Sequence, residues 1–142
     1  MSVQRSRIDL LRHGACEGGE IFRGSTDVAL SEEGWAQMSG KVATVEDAHW
    51  DRIISSPLQR CARFAESLAG EKGVPLAIED ALREIHFGDW EGLPHSEAQQ
   101  RDPEVWRRFW ESPDEASPPN GENMADFSQR VCRALDEIAE RN

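Results

Sequence analysis

Long apolar runs are missing. Nowhere among the 142 residues do the roughly 20 consecutive apolar side chains needed to cross a bilayer occur. The start, Met1 to Arg12, is polar and interrupted by Arg5, Arg7 and Asp9, so no apolar signal-peptide core forms there. Cysteine is scarce. Cys16, Cys61 and Cys132 lie far apart and are odd in number, which excludes a disulfide framework and fits reduced thiols in a cytoplasmic protein. Positive charge is outnumbered: 16 Lys+Arg face 27 Asp+Glu, a net charge of -11. So acidic a surface repels nucleic acid and anionic lipid, and neither is an expected partner. An anionic substrate must then be captured by a local basic pocket. Repeats and low-complexity tracts are also absent. What remains is 38% hydrophobic and 30% charged, enough for a core and inconsistent with disorder. The length suits one domain, residues 1–142.

Short apolar runs alternate with helical patterns. Ile8 to Leu11 reads as a short buried strand that ends at Arg12-His13-Gly14, and the Gly- and Ser-rich stretch 14–29 reads as a loop. Ser31 is a helix N-cap with Glu32 and Glu33 at the positive end of the dipole, and Trp35, Met38, Val42 and Val45 share one helical face. A second strand runs over 52–55. Ser56-Pro57 then predicts a capped helix with proline at its first position. Its buried stripe is Leu58, Cys61, Ala62, Ala65, Leu68 and Ala69, and Gly70 and Gly73 are its candidate stops. Leu76 to Ile78 is a third strand. Asp102-Pro103 starts another helix, with Val105, Trp106, Phe109 and Trp110 clustered as core or interface. The proline-rich loop 117–123, with Glu122, is a lid or a surface turn. Asn123 caps a last amphipathic helix through Met124, Phe127, Val131, Leu135 and Ile138. This alternation predicts an α/β fold with parallel strands covered on both faces, and ligands at the carboxyl ends of strands.

Basic residues gather at those ends. Arg12 and Arg60 offer planar forks of donors suited to phosphate. His13 between them carries an imidazole that is a competent nucleophile near pH 7. Phosphoryl transfer needs little beyond positioning and charge neutralisation, apart from a proton for the leaving oxygen. Glu84, after the third strand, can donate it. A His13-x-x-Cys16 pair without further ligands is poor evidence for a metal.

Four segments in order resemble one known family. LLRHG (10–14), FRGSTDVALSEEGWAQM (22–38), ISSPLQRCARFAESLA (54–69) and LREIHFGDWEG (82–92) are similar to the motifs of the histidine phosphatase, or phosphoglycerate-mutase-like, superfamily. The phrases FRGSTDVALSEEGW, QRCARFA and REIHFGDWEG look closest to its α-ribazole phosphatase branch. The resemblance implies a three-layer αβα fold with a mostly parallel central sheet. It implies that His13 becomes phosphohistidine, that Arg12 and Arg60 hold phosphate oxygens, and that Glu84 serves as acid and then base. It implies no metal and no cofactor. The partner is a small phosphorylated metabolite, expected to be α-ribazole 5′-phosphate, with a homodimer left open. Arg23, Ser25 and Thr26 are candidate substrate contacts or ordinary loop residues.

The chain departs from that pattern twice. Ala15 and Gly19 stand where many members carry an acidic residue and an asparagine. Members also carry a second catalytic histidine in a His-Gly motif on a late strand, after a helix like 124–140; the 142 residues stop before it. The expected fold therefore lacks its C-terminal part, including one central strand, and two strands are left with unpaired edges. Three explanations stand: a shortened sequence, which is favoured; a strand supplied by another chain; or a repacked, inactive remnant. His86 and His95 are weak substitutes for the second histidine. The competing functions are a phosphoglycerate mutase or sugar-phosphate phosphatase of the same family and, in another class, a phosphate-binding or interaction module without turnover.

Overall fold

The computed structural model describes residues 5–45 and 49–141, so the first four residues of the polar start lie outside the described set. Helix α1 spans Glu32–Ala43, and the Ser31 hydroxyl accepts from the Gly34 amide as an N-cap should. Strand β1 (Ile53–Ser55) runs parallel to β2 (Leu76–Ile78), with Ile54 opposite Ala77. Between them helix α2 (Gln59–Lys72) makes the crossover and packs against both strands. Gly73 closes α2 in the left-handed region at φ 65°, while Gly70 lies inside the helix. Short 3-10 turns at Asp80–Leu82 and Gly88–Trp90 precede α3 (His95–Arg101), α4 (Pro103–Glu111) and α5 (Met124–Arg141).

Two apolar clusters hold these elements. Phe22, Trp90, Ala98 and Phe109 form one, with Trp106 and Met124 packed against it. Leu30, Met38 and Phe64 form the other, joined by Cys16, Trp35, Val42 and Leu68. On α2 the expected stripe is largely the buried one, with Phe64 an addition; on α1 Met38 is buried, Trp35 and Val42 are half-buried, and Val45 lies beyond the helix end. On α4, Phe109 is buried and Trp110 is exposed.

The structure departs from expectation at four places. Residues 8–11 form no strand. None of their backbone groups is bonded to another described residue, and Leu10 is 80% exposed. Strand status needs a ladder partner, and among the described residues none lies beside this segment. The parallel sheet accordingly has two strands. Helix α2 begins at Gln59 rather than Pro57. The Ser56 hydroxyl reaches only the Leu58 amide, and the Gln59 amide is capped from a distance by Asp27 Oδ1 at 2.7 Å. Asp102 does flank α4, but its carboxylate accepts from Trp90 Nε1 instead of capping the helix. Helix α3 was not anticipated. On α5 the Asn123 cap forms to the Asp126 amide as expected.

The segment 5–14 is fastened at both ends. Near its start, Asp9 accepts from Arg7 and from Trp50 Nε1 at 2.8 Å. The Arg7 bond first, and the Trp50 bond second, hold the Asp9 carboxyl down to about 2. At its far end, Gly14 lies directly on Gly34 of α1. A Cβ on Gly14 would overlap the Gly34 carbonyl, and a Cβ on Gly34 would overlap the carbonyl of Ala15.

Two outcomes follow from these fastenings. Gly34→Ala should destabilise the fold by about 1–3 kcal/mol through backbone overlap, outweighing the roughly 1 kcal/mol an alanine normally adds inside a helix; a lowered urea midpoint checks it. Because the folded Asp9 pKa lies below its unfolded value, its bond to Trp50 stays intact at neutral pH. It should be lost as pH falls through about 2, which the Trp50 indole N–H resonance reports.

Candidate active site

His13 sits where the 5–14 segment meets α1. The Gly14–Gly34 contact draws this backbone against the helix and fixes where the imidazole starts. His13 Nδ1 lies 2.8 Å from the Gly14 carbonyl. A carbonyl can only accept, so Nδ1 carries the hydrogen and the Nε2 lone pair is left to react. The Cys16 thiol lies 3.6 Å from the same Nδ1 and 3.5 Å from the same carbonyl. Arg12 and His13 line an open cleft of about 350 Å³ with Leu10, Leu11 and the α1 residues Gln37, Met38 and Lys41. Among the described residues the Arg12 guanidinium makes no hydrogen bond or ion pair.

Arg60 occupies a different environment. It stands in the first turn of α2 and is only 2% exposed. Its Nη1 donates to the Thr26 carbonyl at 2.9 Å and its Nη2 to the Gly24 carbonyl at 2.6 Å. Among the described residues no carboxylate lies within ion-pair distance of it. A buried cation without a countercharge is costly unless it has a further function. The loop that holds it is itself anchored. Glu91 accepts from the Ser25 amide, the Ser25 hydroxyl and, at 3.0 Å, the Thr26 hydroxyl. Asp27 in the same loop caps α2 and so ties the loop to the helix that carries Arg60.

Glu84 follows the 3-10 turn 80–82 and is half-buried, with Oε1 accepting from the Ile85 amide at 2.9 Å. Burial pushes the thiol of Cys61, the residue after Arg60, up; the Arg60 charge opposes that, and Cys16 and Glu84 add to it.

Other candidates have evident local partners. The hydroxyl protons of Ser25 and Thr26 go to Glu91. Arg23 Nη2 donates to the carbonyls of Glu17 and Gly19, while its buried Nε has no partner among the described residues. His86 Nδ1 accepts from the Gly88 amide, and the His95 ring stacks on Phe22 at 4.1 Å. Sequence reasoning assigned no role to Cys16 at the imidazole, to Glu91 or to Asp27. Glu91 and Asp27 lay inside quoted motifs, but their partners are distant along the chain, so no local spacing announced them.

The parallel sheet with its crossover helix is that of the phosphoglycerate-mutase-like α/β proteins. Residues 8–142 match the family model described as histidine phosphatase superfamily (branch 1), and the chain belongs to that superfamily. It is 38% identical over 136 residues to a bifunctional protein of Mycobacterium tuberculosis, covering 94% of this chain and 37% of that protein. It is 32% identical to phosphoserine phosphatase 1 of Hydrogenobacter thermophilus, covering 96% of this chain and 65% of the relative. The crystal structure of the α-ribazole phosphatase from Shigella flexneri superposes with a TM-score of 0.82 at 28% identity, covering 92% of this chain and 66% of that one. The chain thus spans about two thirds or less of the length of these relatives.

The two cysteines near the site and the one on α5 should differ sharply in reactivity. Cys61 is half-buried with a raised pKa, whereas Cys132 is exposed. At pH 8 iodoacetamide should modify Cys132 at least about tenfold faster than Cys61, as mass spectrometry of timed aliquots will show.

Proposed function

We propose that this chain carries the nucleophile half of a phosphomonoester hydrolase that works through phosphohistidine, and that its substrate is α-ribazole 5′-phosphate. The observation that supports the reading best is the buried Arg60 guanidinium, which has two carbonyls and, among the described residues, no carboxylate partner, alongside a histidine whose Nδ1 is engaged by a carbonyl. A phosphate dianion supplies the missing countercharge, and Arg12 has its donors free to add a second grip. His13 Nε2 attacks phosphorus as the bridging P–O bond breaks, and Glu84 gives its proton to the departing alkoxide. The Glu84 carboxylate then takes a proton from water. That water attacks phosphorus, the P–N bond breaks, and inorganic phosphate leaves with His13 restored.

The substrate assignment rests on the phrases FRGSTDVALSEEGW, QRCARFA and REIHFGDWEG and on the likeness to the Shigella enzyme. A phosphoglycerate mutase role would need the phosphoenzyme to reject water. Release of inorganic phosphate without a phosphorylated acceptor is the outcome that would exclude it. The 8–11 backbone, which pairs with no other described residue, and the exposed Arg12 favour a second reading, phosphate binding without turnover.

Phosphate release from α-ribazole 5′-phosphate and from phosphoserine separates these readings. The first should be hydrolysed with a kcat/KM at least about tenfold higher. His13→Ala should lower turnover about 1000-fold or more and abolish an acid-labile, alkali-stable phosphoenzyme. Binding of phosphate with no turnover in the unaltered chain would leave only the second reading.

A further inference from the structure

An ion pair outside the phosphate site grips the segment that carries Glu84. Arg130 on α5 and Glu122 just before it are both largely buried, with side chains 28% and 22% exposed. Arg130 Nη1 donates to the carbonyls of Ala81 and Arg83, each at 2.8 Å. Its Nη2 and Nε donate to the two oxygens of Glu122 at 2.8 and 3.3 Å, and its guanidinium lies over the Phe127 ring. Glu122 continues the grip on the other side of Glu84. Its own amide donates to the His86 carbonyl at 2.8 Å, and its Oε1 accepts from the His86 amide at 3.4 Å. The backbone is therefore held at 81 and 83 before Glu84 and at 86 after it. Helix α5 packs on the 80–82 turn, and Gly121 lies against the His86 carbonyl with no room for a Cβ.

We infer that Arg130 and Glu122 are positioning residues for the Glu84 acid, and that through it they decide whether substrates with poor leaving groups are accepted. The inference rests on the hydrolase reading above and deepens it. A general acid works only within hydrogen-bond reach of the leaving oxygen, and a few tenths of an ångström matter there. An alkoxide needs that proton, whereas a nitrophenolate departs without it. Because kcat/KM covers steps only through departure of the alcohol, it isolates the acid role of Glu84 from its later role as base.

The test compares kcat/KM for an alkyl phosphate and for 4-nitrophenyl phosphate in the unaltered chain, Arg130→Met, Arg130→Lys, Glu122→Gln and the pair Glu84→Gln/Arg130→Met. Circular dichroism checks folding, and the lysine and glutamine variants keep the test open if methionine unfolds the chain. Each folded clamp variant should lose about tenfold or more on the alkyl substrate and less than about threefold on the nitrophenyl one. Adding Arg130→Met to Glu84→Gln should cost nothing further on the alkyl substrate, because the acid is already gone. Equal losses on both substrates, no loss on either, or full additivity in the pair would overturn the inference while leaving the hydrolase reading intact. Failure of the unaltered chain to turn over either substrate would instead overturn that reading, and this inference with it.

Discussion

The loop at residues 24–27 is arranged around one buried guanidinium. Arg60 has been carried out of water on the first turn of α2 and given two carbonyls and, among the described residues, no carboxylate. Two neutral acceptors soften the desolvation penalty without cancelling the charge. Keeping them aimed requires the 24–26 loop to be rigid, which Glu91 and Asp27 arrange from opposite sides. The same loop region connects through Ala15, Cys16 and Leu30 to the backbone beside His13. A local electrostatic demand thus accounts for a long chain of otherwise unrelated contacts.

Much of this was legible in the residues. Ser31 and Asn123 announced their helices because a cap hydrogen bond is a local event, complete within three residues. Parallel pairing of 53–55 with 76–78 followed from two apolar runs separated by a helix. Asp102 and Ser56 misled for the opposite reason. Each had the local signature of a cap, but Trp90 took up the Asp102 carboxylate, and the distant Asp27 capped α2 in place of Ser56. Residues 8–11 carried a strand pattern, yet a strand is a property of two segments, and its neighbour is not among the described residues. Helix α3 is a short element whose only buried residue is Ala98.

At the site, the candidate residues were visible, but those that hold them were not. His13, Arg12, Arg60 and Glu84 stand in recognisable phrases. Cys16, Glu91 and the Arg130–Glu122 pair act across separations that no window of sequence spans. Glu122 in particular read as a residue of a lid or a surface turn, and only the fold turns it toward the segment that carries Glu84. The likeness to branch 1 histidine phosphatases covers nearly the whole chain.

The backbone between Ile8 and Leu11, bonded to no other described residue, has a colloidal consequence. Such amides and carbonyls beside exposed leucines are a template on which a stranger's extended segment can crystallise into a ladder. What opposes such recruitment is the mutual repulsion of molecules each bearing eleven excess negative charges. Added electrolyte weakens repulsion but not hydrogen bonding, so dilute buffer should preserve monodispersity and concentrated salt should erode it.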